Sequence, residues 1–198
     1  MTLKDLKPEL IFSIFEQITK VPRPSKKEEK IREFLINFAK EHGIEYKTDA
    51  IGNVAMFRPA SPGCENAPKV LLQGHMDMVC VAEDGVEKDF DNDPIETVID
   101  GEWVRAKGTT LGADNGIGLA AGLAVLIDKS LVTPQVQTLF TVDEETSMGG
   151  ASNLGAGMID ADILLNLDSE DDGEICVGCA GGIGTNIEME YEQVAAPA

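Results

Sequence analysis

Short apolar runs alternate with a helical pattern along this chain, and that alternation limits the folds open to it. Residues 70–73 are apolar enough to form a strand buried on both faces, residues 136–142 are predicted to form another strand, and residues 163–167 repeat the buried-strand pattern. Residues 115–129 are rich in Ala, Leu, Ile and Gly, which predicts a largely buried helix. We therefore expect an α/β fold with a mostly parallel central sheet flanked by helices on both faces. Ligand sites in such sheets lie beyond the carboxyl ends of the strands.

The N-terminal region predicts two helices. An apolar stripe at helical spacing over residues 10–18 indicates the first, which ends before Pro22. Ser25, followed three residues later by Glu28, forms a capping-box signature at the start of the second. That helix is expected to end at Gly43, because glycine is favoured just beyond a helix C-terminus.

Two strand pairs are also predicted. Residues 44–49 and 53–58 alternate apolar and polar positions around a turn, as two short strands do. Residues 97–99 and 103–105 flank Asp100-Gly101, a dipeptide that strongly favours a β-hairpin.

Charge and hydropathy exclude two classes of partner. The 198 residues contain 16 Lys plus Arg against 35 Asp plus Glu, a formal charge of −19 that would repel a phosphate backbone. No segment approaches the roughly 20 apolar residues of a membrane span, and the N-terminus lacks a signal-peptide pattern. We expect a soluble cytoplasmic protein that binds neither nucleic acid nor membrane.

The four cysteines are expected to be reduced thiols. They are scattered in a chain without a secretion signal, and such chains rarely carry disulfides. Cys176 and Cys179 form a single C-x-x-C, but a structural zinc ion needs four ligands and a redox pair opens a helix. The motif is better explained as two small residues in a strand and turn.

A histidine and several acidic residues stand where predicted strands end. His75 and Asp77 follow the strand at 70–73, and in an extended segment their side chains share a face. Asp77 can then accept a hydrogen bond from the imidazole nitrogen that does not bind metal, which fixes the tautomer. A buried polar pair without metal is the alternative interpretation.

Asp114 lies in a glycine-rich loop that precedes the predicted buried helix. Glycines let the backbone and the carboxylate approach a ligand closely. A phosphate-binding loop is disfavoured, because the loop lacks both the Gly-Lys-Ser/Thr ending and G-x-G-x-x-G spacing. Helix N-capping by Asp114 stays open as the structural alternative.

Three further carboxylates follow predicted strands. Glu144 and Glu145 are adjacent, so their side chains diverge and are expected to have different roles. One can bind a metal ion while the other takes a proton from metal-bound water, although a solvated acidic turn is the commoner interpretation of such a pair. Asp168 ends an apolar strand, where an unpaired carboxylate would be unfavourable unless it bound a cation or accepted hydrogen bonds.

Taken together, these motifs resemble the M20 metallopeptidases in order and spacing. The likeness covers essentially the whole chain, and the variants are most similar to those of the bacterial aminoacyl-histidine (Xaa-His) dipeptidases. The motifs are Gly74-His75-Met76-Asp77 after a strand, Gly112-Ala113-Asp114-Asn115-Gly116 before a helix, Glu144-Glu145 after a strand, and Leu167-Asp168-Ser169-Glu170 after another.

The resemblance implies a zinc-peptidase-like catalytic domain with two Zn²⁺ ions, or Mn²⁺ or Co²⁺ in their place. By this likeness His75 and Asp168 bind one ion, Glu145 helps to bind the second, and Asp114 bridges the two. Asp77 would orient His75. Glu144 would be the general base that activates metal-bound water. A cis peptide is implied after Asp114.

The chain departs from the family pattern because the second ion requires a histidine near the C-terminus of longer family members. Here the only histidines are His42 and His75, and His42 is better placed to cap a helix C-terminus. We expect residues 1–182 to be the N-terminal part of a catalytic domain. Residues 183–198 would be the first strand of an inserted lid domain whose remainder is absent.

The parent protein implied by the resemblance is a homodimer, formed through its lid, that hydrolyses Xaa-His dipeptides including β-alanyl-histidine. The chain itself is expected to be a truncated, weakly active or inactive form. Two alternatives stay open. One is another M20-type amidohydrolase, such as a deacylase or tripeptidase, and the other is a non-catalytic metal-binding fragment.

Overall fold

The computed structural model describes residues 2–169, 173–178, 181 and 184–191. The described residues up to Asp168 form one unit, and those from Ser169 onward form another that contains neither helix nor strand. The first unit begins with a 3-10 turn at Leu3–Asp5. Its helices are α1 (Glu9–Ile18), α2 (Glu29–His42), α3 (Ala113–Ile127), α4 (Glu144–Ser147) and α5 (Gly149–Ser152). Its strands are β1 (Glu45–Thr48), β2 (Val54–Arg58), β3 (Val70–His75), β4 (Thr97–Asp100), β5 (Trp103–Ala106), β6 (Val136–Thr141) and β7 (Ile163–Asn166).

The central sheet has five strands in the order β1-β2-β6-β3-β7. β3 runs parallel to β6 and to β7, while β2 runs antiparallel to both β6 and β1. Four of the five strands therefore point the same way, which confirms the predicted mostly parallel α/β sheet. Strands β4 and β5 form a separate antiparallel hairpin, as the Asp100-Gly101 turn predicted.

The three long helices share one face of the sheet. Ile14 of α1, Leu35 of α2 and Leu123 of α3 meet in a single core with inward-facing strand residues such as Met56 and Phe140. The opposite strand face is covered by a smaller cluster around Leu71, Leu139 and Met158, to which the segment after α5 contributes. Burial of these apolar faces is what stabilises the helices against the sheet.

Helix α3 is the most deeply buried of the three, because it packs against both α1 and the sheet. Its 15 residues include glycines that admit neighbouring side chains; Gly122, for instance, faces the ring of Phe140. No helix in the described part of the chain is long and apolar enough to cross a bilayer.

The predicted capping box at Ser25 is wrong. Helix α2 has Glu28 as its N-cap, with no side-chain capping hydrogen bond. The Ser25 hydroxyl instead donates to the Asp77 carboxylate at 2.8 Å, and the Glu28 carboxylate accepts hydrogen bonds from the backbone N–H groups of Lys26 and Asp143. Each side chain thus makes a hydrogen bond with a residue far away in the chain, Ser25 with Asp77 and Glu28 with Asp143, and these bonds replace the local capping pattern.

The prediction that residues 163–167 form a buried strand is also wrong. Strand β7 lies at the edge of the sheet, and its residues Ile163, Leu164 and Leu165 are 45–53% exposed. It pairs only with β3 among the described strands, so its other edge is unpaired and its apolar side chains stay about half exposed. The lid strand expected over 183–198 falls partly outside the described residues and stays a prediction.

The described cysteines are unpaired thiols. Cys64 and Cys80 are half-buried, and Cys176 is exposed. Cys179, the second member of the C-x-x-C, lies outside the described residues.

Replacement of Leu35 by alanine should show how strongly the helical core stabilises the fold. Leu35 is 0% exposed, so the Leu35→Ala change leaves a cavity and should lower the free energy of unfolding by about 2–5 kcal/mol. Urea denaturation measures the loss. Leu131→Ala, the same change at a 38% exposed position, should cost about 1 kcal/mol or less. Equal losses for the two variants would contradict the burial of Leu35 in the core.

Candidate metal centre

The topology of the sheet brings the predicted site residues to one edge. His75 is the last residue of β3, Glu144 begins α4 shortly after β6, and Asp168 follows β7 by two residues. These three strands are parallel neighbours, so their carboxyl ends meet. Asp114 joins them from the start of α3.

Two overlapping groups of potential metal ligands result. His75, Asp114 and Asp168 form one, and His75, Glu144 and Glu145 form the other. Within each group the candidate ligand atoms lie within 4.8 Å of one another. We call these five residues the His75 cluster.

The imidazole of His75 lies at the centre of the cluster. Its Nε2 atom is 2.9 Å from Asp114 Oδ1, 3.7 Å from Asp168 Oδ1 and 3.8 Å from Glu144 Oε2. The ring is buried, whereas the carboxylates are partly open to solvent. One nitrogen therefore lies within 3.8 Å of oxygens from three carboxylates.

The carboxylates of the cluster disfavour one another's charge. Burial, reinforced by the negative charge of Asp114, raises the pKa of Glu145. Burial also raises the pKa of Asp168, which the charge of His75 opposes and the nearby Asp114 reinforces. A divalent cation would remove this repulsion, and an imidazole with several carboxylates is a donor set that suits Zn²⁺, Mn²⁺ or Co²⁺. The residues present therefore fit a metal ion.

Asp77 lies behind His75 and is completely buried. Its Oδ1 is 3.2 Å from His75 Nδ1 and accepts the backbone N–H of Glu144 at 3.0 Å. Its Oδ2 accepts the Ser25 hydroxyl at 2.8 Å and the backbone N–H of Glu145 at 3.2 Å. Burial opposes its ionisation, but these hydrogen bonds outweigh burial and lower the pKa of Asp77 to about 2. The carboxylate thus ties the histidine to the turn that carries both glutamates.

The Asp114–Asn115 peptide bond is cis, as the resemblance implied. Asp114 does not cap helix α3: Gly112 occupies the N-cap position, and no side-chain capping bond is present. This removes the structural alternative for Asp114 and leaves its carboxylate facing His75 Nε2.

Asn115 is a site residue that sequence reasoning missed. Its side-chain amide donates to the Leu167 carbonyl at 2.6 Å and to Asp168 Oδ1 at 2.9 Å, and so holds the end of β7. Gly74 and Gly118 make room for it, because a Cβ at either position would collide with Asn115 Oδ1. Those two glycines were the available signal, since each marks a close approach by another group.

His42 lies outside the cluster. It is the last residue of α2, and its ring packs against Phe38 with centroids 4.4 Å apart. It belongs to neither ligand group among the described residues.

A cavity of about 210 Å³ adjoins the cluster. Glu144 and Asp168 line it together with Leu139, Leu154 and Leu164. The space therefore combines carboxylates from the candidate centre with an apolar wall.

Comparison with known proteins agrees with this geometry. The family model described as "Peptidase family M20/M25/M40" matches residues 71–198, which include every member of the His75 cluster. The chain belongs to this family. Peptidases of family M20 are metal-dependent, in keeping with the ligand groups at the sheet edge.

Several relatives of the M20 chain are known. It is 45% identical to the cytosol non-specific dipeptidase of Escherichia coli K12 over 196 residues, which are 99% of this chain and 40% of that protein. The aminoacylhistidine dipeptidase of Vibrio alginolyticus superimposes with a TM-score of 0.85 at 46% identity, over 87% of this chain and 35% of that one. Aminopeptidase PepT of Bacillus cereus superimposes with a TM-score of 0.70 at 25% identity, over 84% of this chain and 44% of that one. The chain thus spans less than half the length of each of these relatives.

The stability of the metal-free chain should fall as pH rises from about 6.5 to 9. Burial opposes protonation of His75, but the hydrogen bond to Asp77 and the charge of Asp168 outweigh it and raise the pKa of His75 from 6.5 to about 9. The folded state therefore binds this proton more tightly than the unfolded chain. Its contribution is complete below about pH 6.5 and is lost by about pH 9, at most about 3 kcal/mol.

Urea denaturation in EDTA at a series of pH values measures this dependence. Asp77→Asn removes the charge that holds the proton on His75, so the variant should show a flatter profile over the same range. If the two profiles have the same slope, the His75–Asp77 pair does not carry the effect.

Proposed function

We propose that this chain supplies most of the catalytic centre of a binuclear metal-dependent dipeptidase. The observation that carries the proposal is the His75 cluster, in which one buried imidazole faces carboxylates from several strand ends. The name of the E. coli relative, a dipeptidase 45% identical over 99% of this chain, supports the type of substrate.

In the proposed centre His75 and Asp168 hold one metal ion, Asp114 bridges to a second, and Glu145 helps to hold that second ion. The distances from His75 Nε2 to Asp114 and Asp168 support the first set of ligands. Zn²⁺ is the proposed ion, with Mn²⁺ or Co²⁺ as substitutes, because imidazole and carboxylate ligands accept all three.

Asp77 is proposed to orient His75 rather than to bind metal. Each of its two carboxylate oxygens already has two hydrogen-bonding partners, which are the imidazole, the Ser25 hydroxyl and two backbone N–H groups. The hydrogen bond to Nδ1 holds the ring in the tautomer that leaves Nε2 free to coordinate.

Glu144 is proposed as the general base. Bound divalent ions lower the pKa of a coordinated water to about 7 and polarise the scissile carbonyl. The Glu144 carboxylate accepts no hydrogen bond from the described residues and lies 3.8 Å from His75 Nε2, so it is free to take a proton from the attacking water. It then passes that proton to the amine that leaves when the C–N bond breaks, and the carboxylate is restored.

The proposed substrates are dipeptides with a C-terminal histidine, including β-alanyl-histidine. Two relatives of similar identity differ in this respect, since one is named non-specific and the other aminoacylhistidine dipeptidase. The partly apolar cavity beside Glu144 and Asp168 offers room for a substrate side chain. A panel of dipeptides, a tripeptide and an N-acyl amino acid would separate this proposal from a tripeptidase or deacylase.

The second ion has fewer ligands in this chain than the first. The described residues near Glu145 offer it no imidazole beyond His75, and the family resemblance places the missing histidine in a more C-terminal region. We infer weak or absent hydrolysis by the 198-residue chain itself, and a cytoplasmic homodimer for a protein of the relatives' length. A purely metal-binding role is the outcome if hydrolysis never appears at that length.

Native mass spectrometry should detect one tightly held Zn²⁺ per 198-residue chain after dialysis, with a second ion lost more readily. His75→Ala should abolish retention of the first ion, because it removes the shared ligand of both groups. His42→Ala is the matched control and should leave retention unchanged, since His42 packs on Phe38 outside the cluster. Metal retention by the His75 variant would overturn the proposed centre.

Glu144→Gln should separate proton transfer from metal binding. In a protein of the relatives' full length it should reduce kcat for dipeptide hydrolysis by about 10²–10⁴-fold while metal content is preserved. Glu145→Gln is the adjacent control and should instead lower metal content. Loss of metal from the Glu144 variant would mean that this residue is a ligand rather than the base.

A further inference from the structure

Arg23 is a buried cation beside the candidate metal centre. It lies in the connection between α1 and α2, and only 2% of the residue is exposed. Its Nη1 donates to the carbonyls of Met76 at 3.1 Å and Asp77 at 2.8 Å, and its Nη2 donates to the carbonyl of Gly112. One guanidinium therefore satisfies three backbone acceptors.

These acceptors belong to the two segments that carry metal ligands. Met76 and Asp77 directly follow His75, and Gly112 precedes Asp114 by two residues. The backbone adds to the link, because the N–H of Met78 donates to the carbonyl of Arg23 at 3.1 Å. Arg23 thus joins segments that are otherwise far apart in sequence, at the point where their side chains must converge on one cation.

Two glycines make space for the guanidinium. A Cβ at Gly112 would lie 2.5 Å from Nη2 of Arg23, and a Cβ at Gly116 would lie 2.7 Å from the same atom. Real side chains do not approach this closely, so Gly112 at the N-cap of α3 and Gly116 within that helix admit Arg23 only because they lack side chains. A side chain at either glycine would therefore displace the guanidinium of Arg23.

The bonding of Arg23 leaves the metal ligands free. Burial lowers the pKa of Arg23 to about 10, while the charges of Asp77, Asp114 and Glu145 oppose that shift, so the group remains cationic at neutral pH. Its described hydrogen bonds go to carbonyls rather than to carboxylates. It can offset part of the repulsion within the His75 cluster without occupying a ligand oxygen.

We propose that Arg23 is a positioning residue of the metal centre, which sets the spacing between His75 and Asp114 and thereby the affinity and coordination geometry of the bound ion. The inference rests on the proposed function, because it requires that the cluster bind metal. A planar guanidinium has two terminal nitrogens that can donate to separate segments at once, which the single nitrogen of lysine does not reproduce.

Co²⁺ titration of the 198-residue chain tests this role through a readout other than activity. Arg23→Lys retains the charge but not the simultaneous hydrogen bonds to the segment after His75 and to the segment before Asp114. We expect about 10–100-fold weaker Co²⁺ affinity and an altered visible absorption spectrum of the bound Co²⁺. The affinity of folded molecules is compared, after urea denaturation has established that each variant is folded under the titration conditions.

Arg58 provides a matched control. It too donates to three carbonyls, those of Val125, Asp128 at 2.8 Å and Leu131 at 2.9 Å, but at the opposite end of α3. Arg58→Lys should lower stability while leaving Co²⁺ affinity and spectrum unchanged. If Arg58→Lys weakens Co²⁺ binding as much as Arg23→Lys does, the effect is a general loss of rigidity and the proposal is overturned.

A second pair of variants keeps the test decisive if Arg23→Lys does not fold. Gly116→Ala displaces the guanidinium without removing it and should also weaken Co²⁺ binding. Gly122→Ala on the same helix should not, since the nearest atoms to its Cβ would be those of Phe140 and Thr138. Unchanged affinity in the folded Arg23→Lys or Gly116→Ala variants would overturn the role of Arg23. Absence of Co²⁺ binding by the unsubstituted chain would instead overturn the proposed function itself.

Discussion

A carboxylate with no access to water must be surrounded by hydrogen-bond donors, and at Asp77 this requirement organises the whole candidate centre. Its donors come from β3, from the connection before α2 and from the turn after β6. These segments carry or adjoin His75 and the two glutamates. The bonds that make burial of Asp77 tolerable therefore also determine where the imidazole and the Glu144-Glu145 turn lie relative to each other.

The residues in front of His75 have the opposite character. Asp114, Glu145 and Asp168 crowd their charges together, and burial and mutual repulsion raise the pKa values of Glu145 and Asp168. Such an arrangement reduces stability in the absence of a cation and offers a strong binding site in its presence. Hydrogen-bonded groups behind the imidazole and crowded carboxylates in front of it agree with the metal dependence of family M20 peptidases.

Sequence reasoning was accurate where local pattern and fold agree. The mostly parallel sheet and the convergence of His75, Glu144 and Asp168 were predictable, because parallel strands deliver their last residues to one edge. It failed at Ser25, where a capping pattern was overridden by a distant carboxylate, and at β7, whose apolar residues are exposed at a sheet edge. At Ser25 the deciding partner, Asp77, lies 52 residues away in the chain. At β7 the exposure follows from the position of the strand at the edge of the sheet.

The sequence by itself determined which chemical groups are available and to which end of the sheet they go, since side-chain chemistry and strand periodicity are local properties. Only the tertiary structure decided how those groups are held. Arg23, Ser25 and Asn115 reach partners 52 to 89 residues away, and no local pattern encodes such pairings. The candidate metal ligands could therefore be recognised in the sequence, whereas the hydrogen bonds that position them could be recognised only in the folded chain.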